Sequence, residues 1–473
     1  MRRTGRTSAP DGQPMVTVQA TCQLTVSFET AAGVVKKLKK AGHEAYFVGG
    51  SVRDLLRGLE PAEFDIVTSA TPREVRALFD HTVAVGEKFG VILVIEEGLS
   101  YEVATYRIDR AYADGRRPSR VEFAALAEED VKRRDFTING LLMDPETCLV
   151  FDYVGGVEDL KKRIIRTIGN PEERFAEDHL RMLRAIRLVA NLGFEVEPAT
   201  FAAIKRNAKA IRRISAERIR NEITRTITRG GARRGMELLS DSGLLAEVLP
   251  EVEALRGVDQ PERFHPEGDV WEHTLRLLEM LPGREDRETD PRLAWGALLH
   301  DVGKPLTRFE DARGIHFYGH SKKGEEIAEA VMQRLRFSRS DIEAVVAMIR
   351  HHMLFINVTD MRPNRLKRFL RMPDFDLHLE LHRLDSLASH GNLENYEFCR
   401  KKLAEFASED LRPPPLITGK DLIALGFEPG PLFKEIKRYV EDAQLDGEIS
   451  TPEEARRIVL EKWGERRKGK SCP

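Results

Sequence analysis

Apolar and polar positions divide the chain into two regimes. Between residues 27 and 150, short apolar runs alternate with helical stripes; from about residue 175 a period near 3.6 dominates. Phe28, Ala31, Val34, Val35 and Leu38 recur at helical spacing, which predicts a helix over 27–40 capped by Ser27. Residues 45–48 form an apolar run suited to a buried strand, and Gly49 and Gly50 then turn the chain into a helix opening near Ser51. Thr71 and Pro72 begin another helix through Phe79, and residues 91–95 and 101–107 read as strands paired around Glu97 and Gly98. Residues 106–120 are polar and rich in Gly, Arg and Tyr, so a mobile loop is expected there. Arg412 and the three prolines after it mark a linker before a last helical segment. No internal repeat is visible.

With 473 residues the chain is too long for one core, and two to four domains are expected. Its 41% hydrophobic and 32% charged residues suit a soluble globular protein. No run of about 18 apolar residues occurs, so no membrane span is expected. The first 26 residues carry Arg2, Arg3 and Arg6 without a signal-type apolar core and read as a disordered tail. Cys22, Cys148, Cys399 and Cys472 are scattered without a CxxC, which argues against a disulfide framework or zinc–thiolate site and fits a reducing cytoplasm. The net charge of −2 hides a local excess: eleven Lys or Arg lie between 200 and 234, with only Glu217 and Glu222 against them. Arg218, Arg220, Arg225, Arg229, Arg233 and Arg234 are therefore candidates for contact with an RNA backbone, against the plainer reading of a solvated helix face.

Residues 48–65 concentrate the chemistry. Bare backbone N–H groups at a helix start cradle phosphate, and Gly49, Gly50, Ser51 and Arg53 supply that turn, a hydroxyl and a cation. Glu63 and Asp65 bracket Phe64; on a strand, alternate residues share a face, so the two carboxylates could share Mg²⁺ ions. In residues 133–140, placed on a helix, Arg134 shares a face with Ile138, and Asp135 with Asn139, a set suited to triphosphate and ribose. In residues 177–185, Asp178 and Arg181 are helical neighbours offering an acceptor and a donor for a base edge, with Arg184 beside them.

These pieces resemble a class II tRNA nucleotidyltransferase, of the CCA-adding enzyme and poly(A) polymerase superfamily. The matching stretches are GGSVRD at 49–54, EFDIVTSATP at 63–72, RRDFTING at 133–140, DYVGGVEDLKKRIIR at 152–166 and EDHLRMLRAIR at 177–187. The resemblance implies an α+β chain with a polymerase-β-type head over 27–150, a helical neck over 151–258 and a helical body and tail. It implies that Glu63 and Asp65 hold catalytic Mg²⁺, that Gly49, Gly50, Ser51 and Arg53 hold the triphosphate, and that Arg134, Asp135 and Asn139 contact sugar and phosphate. Asp178 and Arg181 would then act as a protein template for CTP and ATP, and the loop around 106–117 as the element that switches from C to A addition. The family pair is usually Asp-x-Asp; here its first member is Glu63, whose extra methylene displaces the carboxylate by about 1 Å. Glu102 is a candidate third carboxylate.

A second set lies further on: His273, the adjacent His300 and Asp301, and Asp385, with His320 and His351 as candidates for a second metal or a phosphate. Such N/O donors suit an octahedral ion. Their order resembles the HD phosphohydrolase superfamily, which implies an HD domain over 259–398, before a tail over 399–473, and a divalent metal. A phosphoester at an RNA end is the expected substrate. The function expected is CCA addition to tRNA. Poly(A) polymerase, A-only or CC-only addition are alternatives, and an HD phosphohydrolase with a degenerate RNA-binding head is the alternative from another class.

Overall fold

The computed structural model describes residues 7–8, 14–19, 25–86, 90–112, 118–124, 126–263, 265–283, 288–406, 411 and 413–466. It divides into two compact units, residues 1–253 with 282–289, and residues 254–281 with 290–473. The first unit is mixed α+β and the second almost wholly helical. No described helix is long and apolar enough to cross a membrane.

The first unit is built on a sheet of β1 (Thr7–Ser8), β2 (Pro14–Gln19), β3 (Ala45–Val48), β4 (Asp65–Thr68), β5 (Thr82–Gly86), β6 (Val91–Glu96), β7 (Leu99–Thr105), β10 (Leu141–Asp144) and β11 (Leu149–Asp152), in the order β1-β2-β11-β10-β3-β4-β7-β6-β5. The helix Val26–Lys40 buries the predicted stripe of Phe28, Ala31, Val34, Val35 and Leu38 against this sheet's core. Its cap is Thr25, whose Oγ1 accepts from Phe28 N, and not Ser27. Thr71 and Glu74 form a reciprocal capping box ahead of Pro72–Leu78. β6 and β7 pair across Glu97 and Gly98, both at positive φ, the backbone a tight hairpin needs.

Three expectations are corrected. Pro14–Gln19, inside the supposed disordered tail, pairs antiparallel with β11, and Val18 is buried. The described parts of the expected mobile loop, β8 (Arg107–Tyr112) and β9 (Pro118–Phe123), pair as an antiparallel ribbon, because backbone ladder bonds satisfy even a polar segment; residues 113–117 lie outside the described residues. Cys148 is disulfide-bonded, a single bridge that the scattered cysteines, read against a disulfide framework, did not announce. Cys399 is free and buried.

Beyond the sheet, Ile164–Ile165 (β12) and Glu195–Val196 (β13) pair in parallel, and helices including Leu180–Leu192, Ala216–Thr228 and Ala232–Asp241 complete this unit. In the second unit, helices Val270–Glu279, Pro291–Leu299, His320–Arg334, Arg339–His351 and Phe375–Ala388 enclose a core containing Trp295. A small hairpin of β14 (Phe309–Asp311) and β15 (Gly314–His316) precedes the helix from His320. The closing helices, among them Pro431–Leu445 and Pro452–Trp463, have their own apolar cluster.

Candidate functional site

Strand register assembles the first site. β3 and β4 are antiparallel with Val48 opposite Asp65, so the glycine turn after Val48 sits beside the carboxylate that opens β4. Gly49 has φ 77°, which glycine adopts without strain. A Cβ placed there would lie 3.7 Å from Asp65 Oδ2 and 3.8 Å from Arg134 Nη1, so glycine, carboxylate and guanidinium line one recess. Glu63, Phe64 and Asp65 are exposed, buried and exposed, which keeps the predicted alternation although the strand starts only at Asp65. β4 runs parallel to β7 with Ile66 beside Val103, which brings Asp65 level with Glu102.

Asp65 is open to solvent yet ringed by protein. Desolvation, then the charge of Glu102, push its pKa up to about 6, with Glu63 adding and Arg134 opposing. Carboxylates crowded in this way suit a divalent cation, whose charge would relieve their repulsion. Glu63, Asp65 and Glu102 would hold it.

The predicted triphosphate and sugar residues form a chain of contacts. Arg53 Nη1 donates to Asn139 Oδ1 at 3.0 Å, Asn139 Nδ2 donates to Asp135 Oδ1 at 3.2 Å, and Asp135 Oδ2 pairs with Arg184 at 2.7 Å. Gly50 lies against Arg53: a Cβ there would meet Arg53 Nη2 at 3.5 Å. Burial opposes ionisation of Asp135, but Arg184 and Arg181 outweigh it and hold its pKa low. The hydroxyl proton of Ser51 is committed to Val48 O at 3.0 Å, so this buried side chain first of all closes the turn.

The helix expected over 133–140 does not form. The helix Ala127–Lys132 ends first, Phe136 is extended, and Thr137–Asn139 make a 3-10 turn. Arg134 instead reaches back to Asp130, its i−4 neighbour, at 3.0 Å. Asp130 was not anticipated. It is buried and also binds Arg133 at 2.5 Å, although the i, i+4 spacing to Arg134 is a signal that could have found it. Asp152 was missed too: its carboxylate accepts from the backbone N–H groups of Val154, Gly155, Gly156 and Val157. A Cβ on Gly156 would come within 2.1 Å of Thr137 O, so the glycine lets this turn seat the 137–139 segment that carries Asn139.

The two base-reading candidates are not on one helix. Asp178 caps Pro171–Glu177 in extended conformation, and Leu180–Leu192 begins after it. Arg181 is buried and bound to Glu177 at 2.5 Å and to the carbonyls of Arg133 and Arg174 at 2.9 and 3.1 Å. Asp178 pairs with Arg218 at 2.7 Å. Most of the arginine-rich stretch is likewise opposed, by acids from elsewhere in the chain: Arg229 binds Glu288, Arg233 binds Glu237 at 3.1 Å, and Arg234 binds Glu195 at 3.2 Å. Arg220 reaches Asn221, and Arg225 is exposed. Counting acids only within 200–234 overstated the local excess.

The second unit holds a denser site. Gly303 allows the 301–304 turn to press on the helix from His320, since a Cβ there would meet His320 O at 2.1 Å. That contact carries Asp301 to His320. His273, His300 and Asp301 bring ligand atoms within 4.8 Å of one another, and so do Asp301, His320 and His352. His273 Nε2 lies 3.3 Å from His300 Nε2 and 3.0 Å from Asp385 Oδ1. His320 Nε2 lies 3.2 Å from His352 Nε2. The Nδ1 atoms of His300, His320 and His352 each face a backbone carbonyl, of Ala297, Phe317 and Ile349, at 2.8, 2.8 and 2.6 Å. A carbonyl accepts only, so those protons sit on Nδ1 and the Nε2 lone pairs turn inward. Lone pairs facing one another beside carboxylates fit a cation between them.

The second histidine pair therefore contains His352, not the expected His351. His351 faces His378 instead, with ring centroids 5.9 Å apart, because adjacent residues on a helix point in different directions. Glu267 and Lys304 were not foreseen. Glu267 Oε1 is 2.7 Å from His273 Nδ1 and 2.8 Å from His265 Nδ1; Lys304 Nζ is 2.7 Å from Asp301 Oδ2. Burial lowers the His273 pKa, but hydrogen bonds to Asp385 and Glu267 outweigh it and raise it to about 9. Asp301 is held well below the usual carboxylate range: burial opposes this, and His300 and Lys304 prevail. Asp385 is held low in the same way by His273. Both carboxylates are thus ionised.

The two sites define a nucleotidyltransferase head joined in one chain to an HD unit. Residues 45–166 match the poly A polymerase head domain, 193–255 the probable RNA and SrmB-binding site of polymerase A, and 270–388 the HD domain. The CCA-adding enzyme of Streptococcus sanguinis is 33% identical over 431 residues, 90% of this chain and 94% of the relative. Those of Geobacillus stearothermophilus and Geobacillus kaustophilus are each 47% identical, over 59% and 48% of this chain; the matched region spans only 65% and 56% of their length. The structure of a Bacillus stearothermophilus CCA-adding enzyme in complex with CTP aligns with TM-score 0.72 at 30% identity, covering 93% of this chain and 98% of that one. The chain belongs to the CCA-adding enzyme family.

Proposed function

We propose that the protein adds CMP and then AMP to the 3′ end of tRNA, from CTP and ATP, without a nucleic-acid template. The observation that carries this reading is the recess where Gly49, Asp65 and Arg134 meet, continued by the contacts from Arg53 through Asn139 and Asp135 to Arg184. Mg²⁺ held by Glu63, Asp65 and Glu102 would supply the Lewis acid for the attacking 3′-hydroxyl and the departing pyrophosphate. Arg134, held by Asp130, and Arg53, held by Asp54 and Asn139, would take triphosphate charge. The bonded Asp135 carboxylate and Asn139 amide orient the sugar. Asp178 and Arg181 are the template pair in this reading: Asp178 exchanges Arg218 for the incoming nucleotide, and Arg181 is held beside it by Glu177 and the carbonyls of Arg133 and Arg174. Position and charge carry the catalysis, because phosphoryl transfer asks little covalent chemistry of the protein. Arg218, Arg220, Arg225, Arg229, Arg233 and Arg234 contact the tRNA backbone in this reading.

The test is incubation with tRNAs lacking CCA, lacking only the final A, and complete, with CTP, ATP or both. Addition of two C and one A, then arrest, is expected; long A tails on any RNA would overturn the assignment in favour of a poly(A) polymerase.

The facing imidazole lone pairs support a second activity in the HD unit. Its residues would hold one divalent ion through His273, His300, Asp301 and Asp385, and another through Asp301, His320 and His352, for hydrolysis of a phosphoester at an RNA end. In the chain carrying Asp65→Ala, calorimetric uptake of Mn²⁺ that is reduced in His300→Ala, together with loss of phosphoester hydrolysis, tests it.

A further inference from the structure

Asp130 joins more of the head than the nucleotide recess alone. Its side chain is buried on the helix Ala127–Lys132, and its two oxygens have different partners. Oδ2 accepts from Arg134 Nε and Nη2 at 3.2 and 3.0 Å. Oδ1 accepts from Arg133 Nε at 2.9 Å and from the backbone N–H of Arg107 at 3.3 Å. Arg107 opens β8, so this last contact reaches the root of the β8–β9 ribbon. Burial opposes ionisation of Asp130, but Arg134 and Arg133 outweigh it and hold its pKa low.

The chain is fixed just ahead of this contact. Tyr106 is buried, its N–H donates to Thr68 O at 2.8 Å, and its carbonyl accepts from Ala124 N at 2.9 Å. That second bond makes Arg107 and Phe123 a non-hydrogen-bonded pair, so the Arg107 N–H points out of the ribbon, to Asp130. On the other side, Arg134 lines the recess with Gly49 and Asp65, and the carbonyl of Arg133 accepts from Arg181 Nη2 at 2.9 Å. One carboxylate therefore holds the ribbon root, a cation of the recess and the residue that seats Arg181. Its two oxygens move as one rigid group, so a shift at Arg107 is passed to Arg134.

The geometry points to Asp130 as a positioning residue that sets Arg134 and Arg181 according to the seat of the ribbon root. Asp130 acts through other groups: the Arg134 guanidinium, and the Arg133 side chain whose carbonyl holds Arg181. This rests on the nucleotidyltransferase reading above, in which Arg134 takes triphosphate charge and Arg181 belongs to the template pair. Small displacements matter there, because misplacing a binding group by about 1 Å can cost roughly 100-fold in rate.

The experiment measures kcat and KM for CTP and ATP in single-nucleotide incorporation. The full chain carries Asp130→Asn, Arg107→Pro or Arg107→Ala, or Asp130→Asn combined with either Arg107 variant. Asparagine keeps the shape of the side chain and loses the charge that holds two guanidinium groups. Proline removes the Arg107 N–H, which the ribbon ladder does not use, while alanine keeps it and controls for the lost side chain. Asp130→Asn should raise KM for both nucleotides roughly ten-fold, with kcat changed less. Arg107→Pro should raise KM about five-fold above Arg107→Ala, and that excess should vanish in the Asp130→Asn background. Equal KM in the two Arg107 variants, or an excess that persists in the Asp130→Asn background, overturns the coupling. So does a fall in thermal stability of Asp130→Asn with KM unchanged, which is what a purely structural carboxylate would give. If no protein extends tRNA, calorimetric titration with CTP and Mg²⁺ separates the two readings. The same pattern in Kd then keeps the role of Asp130 and sinks only the nucleotidyl-transfer reading, whereas equal CTP affinity throughout overturns both. Should Asp130→Asn misfold, the comparison of Arg107→Pro with Arg107→Ala decides alone.

Discussion

Asp178 and Arg218 close an ion pair at 2.7 Å, joining the break between Pro171–Glu177 and Leu180–Leu192 to the helix Ala216–Thr228. The carboxylate proposed to read a base is thus already engaged, and its partner must yield when a nucleotide arrives.

Asp178→Ala should lower discrimination between CTP and ATP by about ten-fold, since one well-formed set of base contacts is worth roughly 1–3 kcal/mol. Single-nucleotide incorporation on tRNA ending one or two residues short measures it. Arg181→Ala should act differently, by lowering thermal stability as well, because it strips partners from Glu177 and two carbonyls. Unchanged nucleotide choice in Asp178→Ala would refute the reading role.

Protons compete with Mg²⁺ for Asp65. With its pKa raised to about 6, the carboxylate is ionised above that pH and protonated below it, so apparent Mg²⁺ affinity should fall as pH drops through about 6. Glu102→Gln removes the largest charge that raises this pKa and should move the fall to lower pH. Incorporation rates against Mg²⁺ concentration, at several pH values, give both midpoints. Glu63→Asp retracts a carboxylate by about 1 Å and should change the rate by up to about 100-fold. Activity that appears only in the aspartate variant would mark the native head as vestigial.

Glu267 is buried against His273 Nδ1 and keeps that histidine's Nε2 turned toward His300 and Asp385. Glu267→Gln should weaken metal binding in the HD unit by about 10–100-fold, the usual cost of losing such an outer partner. Calorimetry with Mn²⁺ checks it, and unchanged affinity would remove Glu267 from the site.

His378 offers a pH test of stability. Burial, and to a lesser degree His351, lowers its pKa to about 4, against 6.5 for an ordinary histidine. The folded state holds it neutral while the unfolded chain binds a proton below pH 6.5. Its contribution, roughly 3 kcal/mol, is complete above pH 6.5 and lost as pH falls toward 4. Denaturant unfolding of His378→Gln between pH 7 and 4 should show a shallower decline than wild type; parallel curves would contradict it.

Local patterns carried most of the head. The stripe from Phe28 to Leu38, the run 45–48 and the Glu97-Gly98 turn are short-range signals, and the structure follows them. Residues joined across the chain were not legible. Nothing near Asp178 announces Arg218, forty positions away, and nothing near Arg229 announces Glu288. Choosing His352 over His351 needs the rotation of its helix end, which two adjacent histidines do not reveal. The 133–140 segment misled because its i, i+4 spacing suggested a helix, whereas a turn brings Asp135 and Asn139 together just as well.

Pro14–Gln19 also bears on how the protein should be handled. If the chain were trimmed to begin near residue 26, β11 would lose its outer neighbour and offer an open row of N–H and C=O groups to other molecules. Such a shortened protein should self-associate through that edge, so preparations for crystals or assays are better made with these leading residues kept.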